Sequence, residues 1–254
     1  MRTIKFRGRD VAIPSDIEDL TPEQWAYHAI LAASVAAGDM TMEYWRVRWF
    51  SYLAGLGSVD FTALVPRLRA EAEALVGSVT DPFVASSGEL DFYTCRNLLS
   101  GYRGIDRPAD WLADASYGSV MRCLDIIGQA PAQGKDDLRH EAIARELCSI
   151  PEGEPVPTLV AWNASLMLTN VWKAVTSGPV TINGRKLDLS IIFRQVGDKR
   201  PDDNTGWHGI ALEVATSGVF GRMSDVEAAP FWDVMLYLYK CKFEYINDIQ
   251  NKQK

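Results

Sequence analysis

The densest collection of chemically capable side chains lies between Arg200 and Gly221, in the run RPDDNTGWHGIALEVATSGVFG. Asp202, Asp203 and His208 bring two carboxylates and an imidazole close together, the groups a hydrolase uses for general acid–base work. Such a base needs an orienting partner, and the chain has three histidines in all. His28 falls mid-helix among alanines and His140 in the charged run KDDLRHEAIARE. The same residues have a plainer reading. Asp203, Asn204 and Thr205 are rival N-caps for a helix GWHGIALEVATSG, acids before a helix suit its dipole, and Gly218 ends it. Capping is the reading favoured here, with hydrolysis by Asp202, Asp203 and His208 as its competitor. A calcium loop fails in both registers. Gly206 as the turn glycine puts Leu212 where a bidentate Glu belongs, and Glu213 as that ligand puts Trp207 at the glycine.

Other chemical signatures are also weak. GLGS at Gly55 ends a helix and lacks the strand-to-helix setting of a phosphate loop. No Gly-x-Ser-x-Gly elbow occurs. Cys95, Cys123, Cys148 and Cys241 are widely spaced, which points to reduced thiols in a cytoplasm and to no zinc site. No catalytic residue, cofactor or metal is expected. The run YWRVRWF sets Arg46 and Arg48 among aromatics, a mixture that can bind single strands. Met42, Trp45, Trp49 and Leu53 nevertheless share one helical stripe, so a core face flanked by snorkelling arginines is expected.

The bulk numbers set the frame. A chain of 254 residues with 47% hydrophobic and 23% charged residues can bury a substantial core. Asp and Glu number 33 against 26 Lys and Arg, a net charge of −7 that argues against nucleic acid as the main partner. The polar start MRTIKFRGRD does not read as a signal peptide. The longest uncharged stretch, Trp25 to Gly38, is 14 residues, short of the roughly 20 that span a bilayer, so no membrane partner is expected.

Stepping along the chain, a hairpin is expected around Gly8-Arg9. A capping box, Thr21 with Gln24 and Pro22 at the first helical position, then opens a helix that stops at Gly38. A second helix runs from Thr41 to the Gly55–Gly57 stop, and a third follows Asp60 with Pro66 shaping its start. TDPFVASSGE, from Thr80, reads as a boundary. Short helices are expected at FYTCRNLLSGY, SYGSVMRCLDIIG and KDDLRHEAIARELC, followed by the loop PEGEPVP. A long helix begins at Thr158, and a hairpin turns at Asn183-Gly184 within 179–189. One last helix, SDVEAAPFWDVMLYLYKCKFEYIN, closes the chain. The fold class is mainly α, a multi-helix globular protein with two small β-hairpins. Segments 1–80, 81–157 and 158–254 are read as parts of one compact unit.

That last helix is apolar over an unusually wide arc. Trp232, Met235, Tyr239, Phe243 and Ile246 form one ridge, and Val234, Leu238, Cys241 and Tyr245 another. The first, led by Trp232 and Phe243, is expected in the core. The second is expected nearer the surface or at a subunit contact.

Four stretches together resemble a known group: IKFRGRDVAIPSDIEDLTPEQW, CRNLLSGYRGIDRPADWLADASYG, DDNTGWHGIALEVATSGVFG and FWDVMLYLYKCKFEYI. They are similar to proteins encoded in the tail regions of phages and prophages of Bacteroidetes, themselves similar to tail assembly chaperones. The resemblance implies a binding protein of the bacterial cytoplasm that has no catalytic residues. Its partners would be other tail proteins, the tape-measure protein among them, or further copies of itself. A structural virion or connector component is the alternative within that class. Leu238, Tyr245, Trp207 and Phe220 are the candidate partner-binding residues.

Overall fold

A computed structural model describes residues 1–57, 61–129, 136–182, 184–194 and 206–252. The fold is mainly α with two small antiparallel hairpins. Among the described residues no helix is long and apolar enough to cross a membrane. The chain forms two compact units, residues 1–94 with 101–103, and residues 95–100 with 104–254. The division thus falls after the TDPFVASSGE segment, and the central and C-terminal segments share the second unit.

In the first unit, β1 (Arg2–Phe6) pairs with β2 (Arg9–Ile13), and Phe6 opposite Arg9 closes the ladder. The turn is therefore Arg7-Gly8, one residue earlier than the Gly8-Arg9 expected from the glycine alone. Arg7 and Gly8 have φ of 55° and 71°. Two left-handed central residues match the twist of the flanking strands, and glycine takes the second position at no steric cost. Arg7 is held there by its N–H, which donates to Glu71 Oε1 at 3.0 Å.

Helix α1 (Pro22–Ala36) opens on the full Thr21–Gln24 capping box, with Pro22 in the first turn, and Gly38 lies just beyond its end. Thr41 caps α2 (Met42–Leu53), which buries Trp45, Trp49 and Phe50 completely. Its two arginines lie to the side as expected. Arg46 reaches Thr80 and Asp81, and Arg48 donates to the Tyr27 hydroxyl at 3.2 Å. Pro66 starts α3 (Pro66–Thr80), after a separate short turn at Phe61–Ala63.

The second unit is built around α6 (Thr158–Ser177), which buries Val160, Ala164, Met167, Leu168, Val171 and Val175. Helix α5 (Asp136–Cys148) packs beside it, and α4 (Tyr117–Gly128) packs on α5. β3 (Pro179–Ile182) and β4 (Arg185–Asp188) form the second hairpin, with Ile182 opposite Arg185 and Gly184 at φ 74°. Asn183 lies outside the described residues. Helices α7 (Gly206–Thr216), α8 (Met223–Ala228) and α9 (Phe231–Lys252) complete the unit.

Two expected helices are different in the structure. Residues 92–102 form no helix, because Asn97 organises that segment as a loop. Its Nδ2 donates to the Pro108 carbonyl at 2.8 Å, and its Oδ1 accepts from Leu99 N and from Asn163 Nδ2, both at 3.1 Å. A side chain that satisfies backbone groups in this way competes with the helical ladder. The C-terminal helix is two helices. Pro230 offers no N–H and crowds the preceding turn, so Ala229 is extended (ψ 151°) and α9 starts afresh at Phe231.

The Asn97 knot predicts a measurable cost. Asn97→Ala strands a buried carbonyl, a buried N–H and the Asn163 amide, so unfolding in urea should show a loss of about 3 kcal/mol. A loss below about 0.5 kcal/mol would mean that the loop is held by something else.

Candidate functional site

The proline that ends α8 also aims α9. Ser116 and Pro230 form an isolated antiparallel bridge, in which Tyr117 N donates to Ala229 O (2.8 Å) and Phe231 N to Ala115 O (3.0 Å). The rotational phase of α9 is set by this anchor. Phe231, Val234 and Met235 point into the core and are buried. Leu238 continues their stripe at helical spacing, followed by Tyr245 and Ile249, while Phe243 lies about 120° away around the axis.

The expectation that Trp232 and Phe243 lead the core ridge is therefore corrected. Trp232 is half-buried, with its Nε1–H donating to Trp111 O at 2.8 Å, and Phe243 is 49% exposed. Burial on α9 also falls along the axis. Leu236, Tyr237, Leu238 and Tyr239 are all half-buried, and Tyr245 is 41% exposed. Beyond Tyr239 the helix carries Phe243, Tyr245, Ile246 and Ile249 within about 9 Å of its length, the two isoleucines half-buried. Tyr239 and Phe243 stack at 6.0 Å, and the Lys242 ammonium lies 5.8 Å over the Tyr245 ring.

The other two candidate partner-binding residues are partly occupied within the unit. Trp207 packs edge-to-face on Trp172 (5.3 Å) and lies near Phe193 (6.5 Å). Phe220 packs edge-to-face on Tyr237 of α9 at 5.7 Å. Val219 beside it is exposed. Trp207 is mainly an internal contact, whereas Phe220 joins the flank of the α9 surface.

Of the acid–base trio, Asp202 and Asp203 lie outside the described residues, as do the candidate caps Asn204 and Thr205. His208 is exposed on the first turn of α7, with Nδ1 3.8 Å from Glu227 Oε1, too long for a hydrogen bond. Among the described residues no three His, Cys, Asp or Glu side chains converge to hold a metal ion.

A polar cleft in the second unit has no counterpart in the sequence reading. It encloses about 120 Å³ between the 107–119 segment and the end of α5. Arg107 Nε pairs with Asp114 Oδ2 (3.1 Å), and its Nη1 donates to Ser149 Oγ (2.9 Å). Across the cleft Arg122 Nη2 donates to Glu146 Oε1 at 2.6 Å. Burial raises the Glu146 carboxyl, but hydrogen bonds from Arg122 and Ser119 and the arginine charge outweigh it, so the group ends below its ordinary range. Both lining carboxylates are thus already paired, and no histidine lines the space. Ser116, Ser119 and Arg122 do share a face of α4, the one local trace of this cleft that the sequence carries.

The thiols divide cleanly. Burial pushes Cys123 and Cys148 up to about 12, and Cys95 is buried too, while Cys241 is exposed on α9. No protein-family model, curated protein or solved structure matches the chain.

Two predictions follow from these placements. Val234→Asp buries an unpaired charge and should prevent folding of the second unit, whereas Phe243→Asp and Tyr245→Asp should melt within a few degrees of the parent. Equal destabilisation by all three would make α9 core throughout. In a thiol titration of the native protein Cys241 should react promptly and the other three cysteines only after denaturation. Fast reaction at Cys123 or Cys148 would contradict the packing around α4 and α5.

Proposed function

We propose that this protein is a tail assembly chaperone-like factor of a phage or prophage. On this reading it acts by protein–protein binding in the host cytoplasm and not by catalysis. The observation that carries the proposal is the outer half of α9. A helix that leaves two aromatics, Phe243 and Tyr245, exposed on opposite flanks beside half-buried Ile246 and Ile249 has the composition of an interface core. The acidic charge, the paired state of the cleft carboxylates and the resemblance of four stretches to tail-region proteins all support it.

The partner proposed is the long tape-measure protein, gripped before the tail tube polymerises. Its own apolar helical ridges would lie along Tyr239, Phe243, Ile246 and Tyr245, with Phe220 at the flank. Such helix-on-helix docking concentrates binding energy in a few central aromatics.

The test is co-expression of the tagged chain with the tape-measure protein from the same tail region. The parent should capture it, and Phe243→Asp and Tyr245→Asp should each reduce capture at least about tenfold while remaining folded. Capture that is absent for the parent, or unchanged in both variants, overturns the proposal. Purified particles should lack the chain; its stoichiometric retention would favour a structural component.

A further inference from the structure

His28 sits in α1 with no exposed surface, inside the first unit. Five rings surround it, with centroids at 5.0 Å (Phe92), 5.1 Å (Trp49), 5.7 Å (Trp45), 5.8 Å (Phe83) and 6.2 Å (Trp25). They come from α1 itself, from α2, from the turn at Asp81–Phe83 and from the segment after Asp91. Neither imidazole nitrogen makes a hydrogen bond. The backbone of Asp91 lies close enough to favour the proton slightly, but without hydrogen-bond geometry.

The charged groups on the surrounding elements are turned to other partners. Glu23 accepts from Thr21, Arg46 reaches Thr80 and Asp81, Arg48 reaches Tyr27, and the Asp91 carboxylate accepts from Tyr93 N. Glu43 and Glu89 are exposed. A buried polar group without a partner is uncommon and calls for a reason.

We propose that His28 is an acid-operated release for the first unit, its imidazole taking up a solvent proton only when the aromatic nest between α1 and α2 opens. A proton added inside the nest would create an imidazolium with no counter-charge and only the poorly placed Asp91 backbone as an acceptor. The ring faces attract a cation, but less than water does, because an unpaired buried ion loses its hydration. The closed nest therefore holds the neutral form, and burial pushes the group down to about 4.

Once the nest is open, the imidazole returns to its ordinary value of about 6.5. Between these values the open form binds more protons than the closed one, so closure weakens as pH falls. The stabilising effect is complete above about pH 6.5 and is lost progressively as pH drops through about 4. The opening equilibrium should rise on the order of a hundredfold from pH 7 to pH 4. The nest lies within the first unit, apart from α9 and its proposed partner.

Hydrogen exchange of the full chain, corrected for intrinsic rates, tests it on peptides from residues 22–53 between about pH 7 and pH 4.5. Protection in those peptides should fall steeply with pH in the parent and stay nearly flat in His28→Leu, which cannot titrate. If that variant does not fold, ring NMR of the parent serves instead. The His28 resonance should then show no protonated form in the closed state above about pH 5. Protection independent of pH in the parent, a pH dependence retained by His28→Leu, or a closed-state His28 titrating near pH 6.5 would each overturn the proposal.

Discussion

Much of the second unit depends on two backbone hydrogen bonds, those by which Ala115–Tyr117 and Ala229–Phe231 clasp each other. One arm of the clasp is the start of α4 and the other the start of α9, so two helices far apart in sequence are phased against each other at their first residues. Pro230 makes the arrangement compulsory. It ends α8, keeps Ala229 extended so that its carbonyl can accept from Tyr117, and leaves Phe231 N free to donate to Ala115. Gly118, in the first turn of α4, lets α8 come close. A Cβ there would lie 3.0 Å from the Glu227 side chain and backbone oxygen. Helix α9 thus leaves the clasp with Phe231 and Val234 inward, and which aromatics reach the surface further on follows from that angle.

The sequence was most legible where structure is local. The Thr21–Gln24 box, the Thr41 and Ser116 caps and the glycine stops act within one helical turn, and the elements they delimit occur where expected. The Arg7-Gly8 turn lies one residue before the Gly8-Arg9 expectation because glycine fits either central position, and only the pairing register decides between them. Residues 92–102 carry a helical pattern, but Asn163, far along the chain, recruits Asn97 into a buried network that a helix could not supply. The ridges of α9 were visible as ridges. Which one faces inward depends on the Ser116–Pro230 bridge, a tertiary contact with no local signature. The polar cleft was illegible for the same reason, since its charges come from a loop, α4 and α5.

The two units use aromatic side chains in different ways. In the first unit Trp25, Trp45 and Trp49 are fully buried, and edge-to-face pairs such as Phe6–Phe50 and Trp49–Phe83 fill the core. Rings packed like this tolerate little displacement, so a histidine among them is held neutral by its neighbours and not by a hydrogen bond. In the second unit the buried layer around α6 is mostly aliphatic, and many of its aromatics are left half-buried or exposed, from Trp172 and Phe193 to Tyr239, Phe243 and Tyr245.

The same unit carries several internal ion pairs. Among the described residues, four of its arginines pair with carboxylates within the unit: Arg107 with Asp114, Arg122 with Glu146, Arg145 with Glu141, and Arg194 with Asp188. Groups paired in this way fix loops and helix ends. The unit also leaves Phe243 and Tyr245 exposed on a helix whose root is clamped by the Ala115–Phe231 bonds. A clamped helix with an uncovered aromatic end loses little further freedom when a second helix is laid against it. That low ordering cost is what the proposed docking of a partner helix on α9 would draw on.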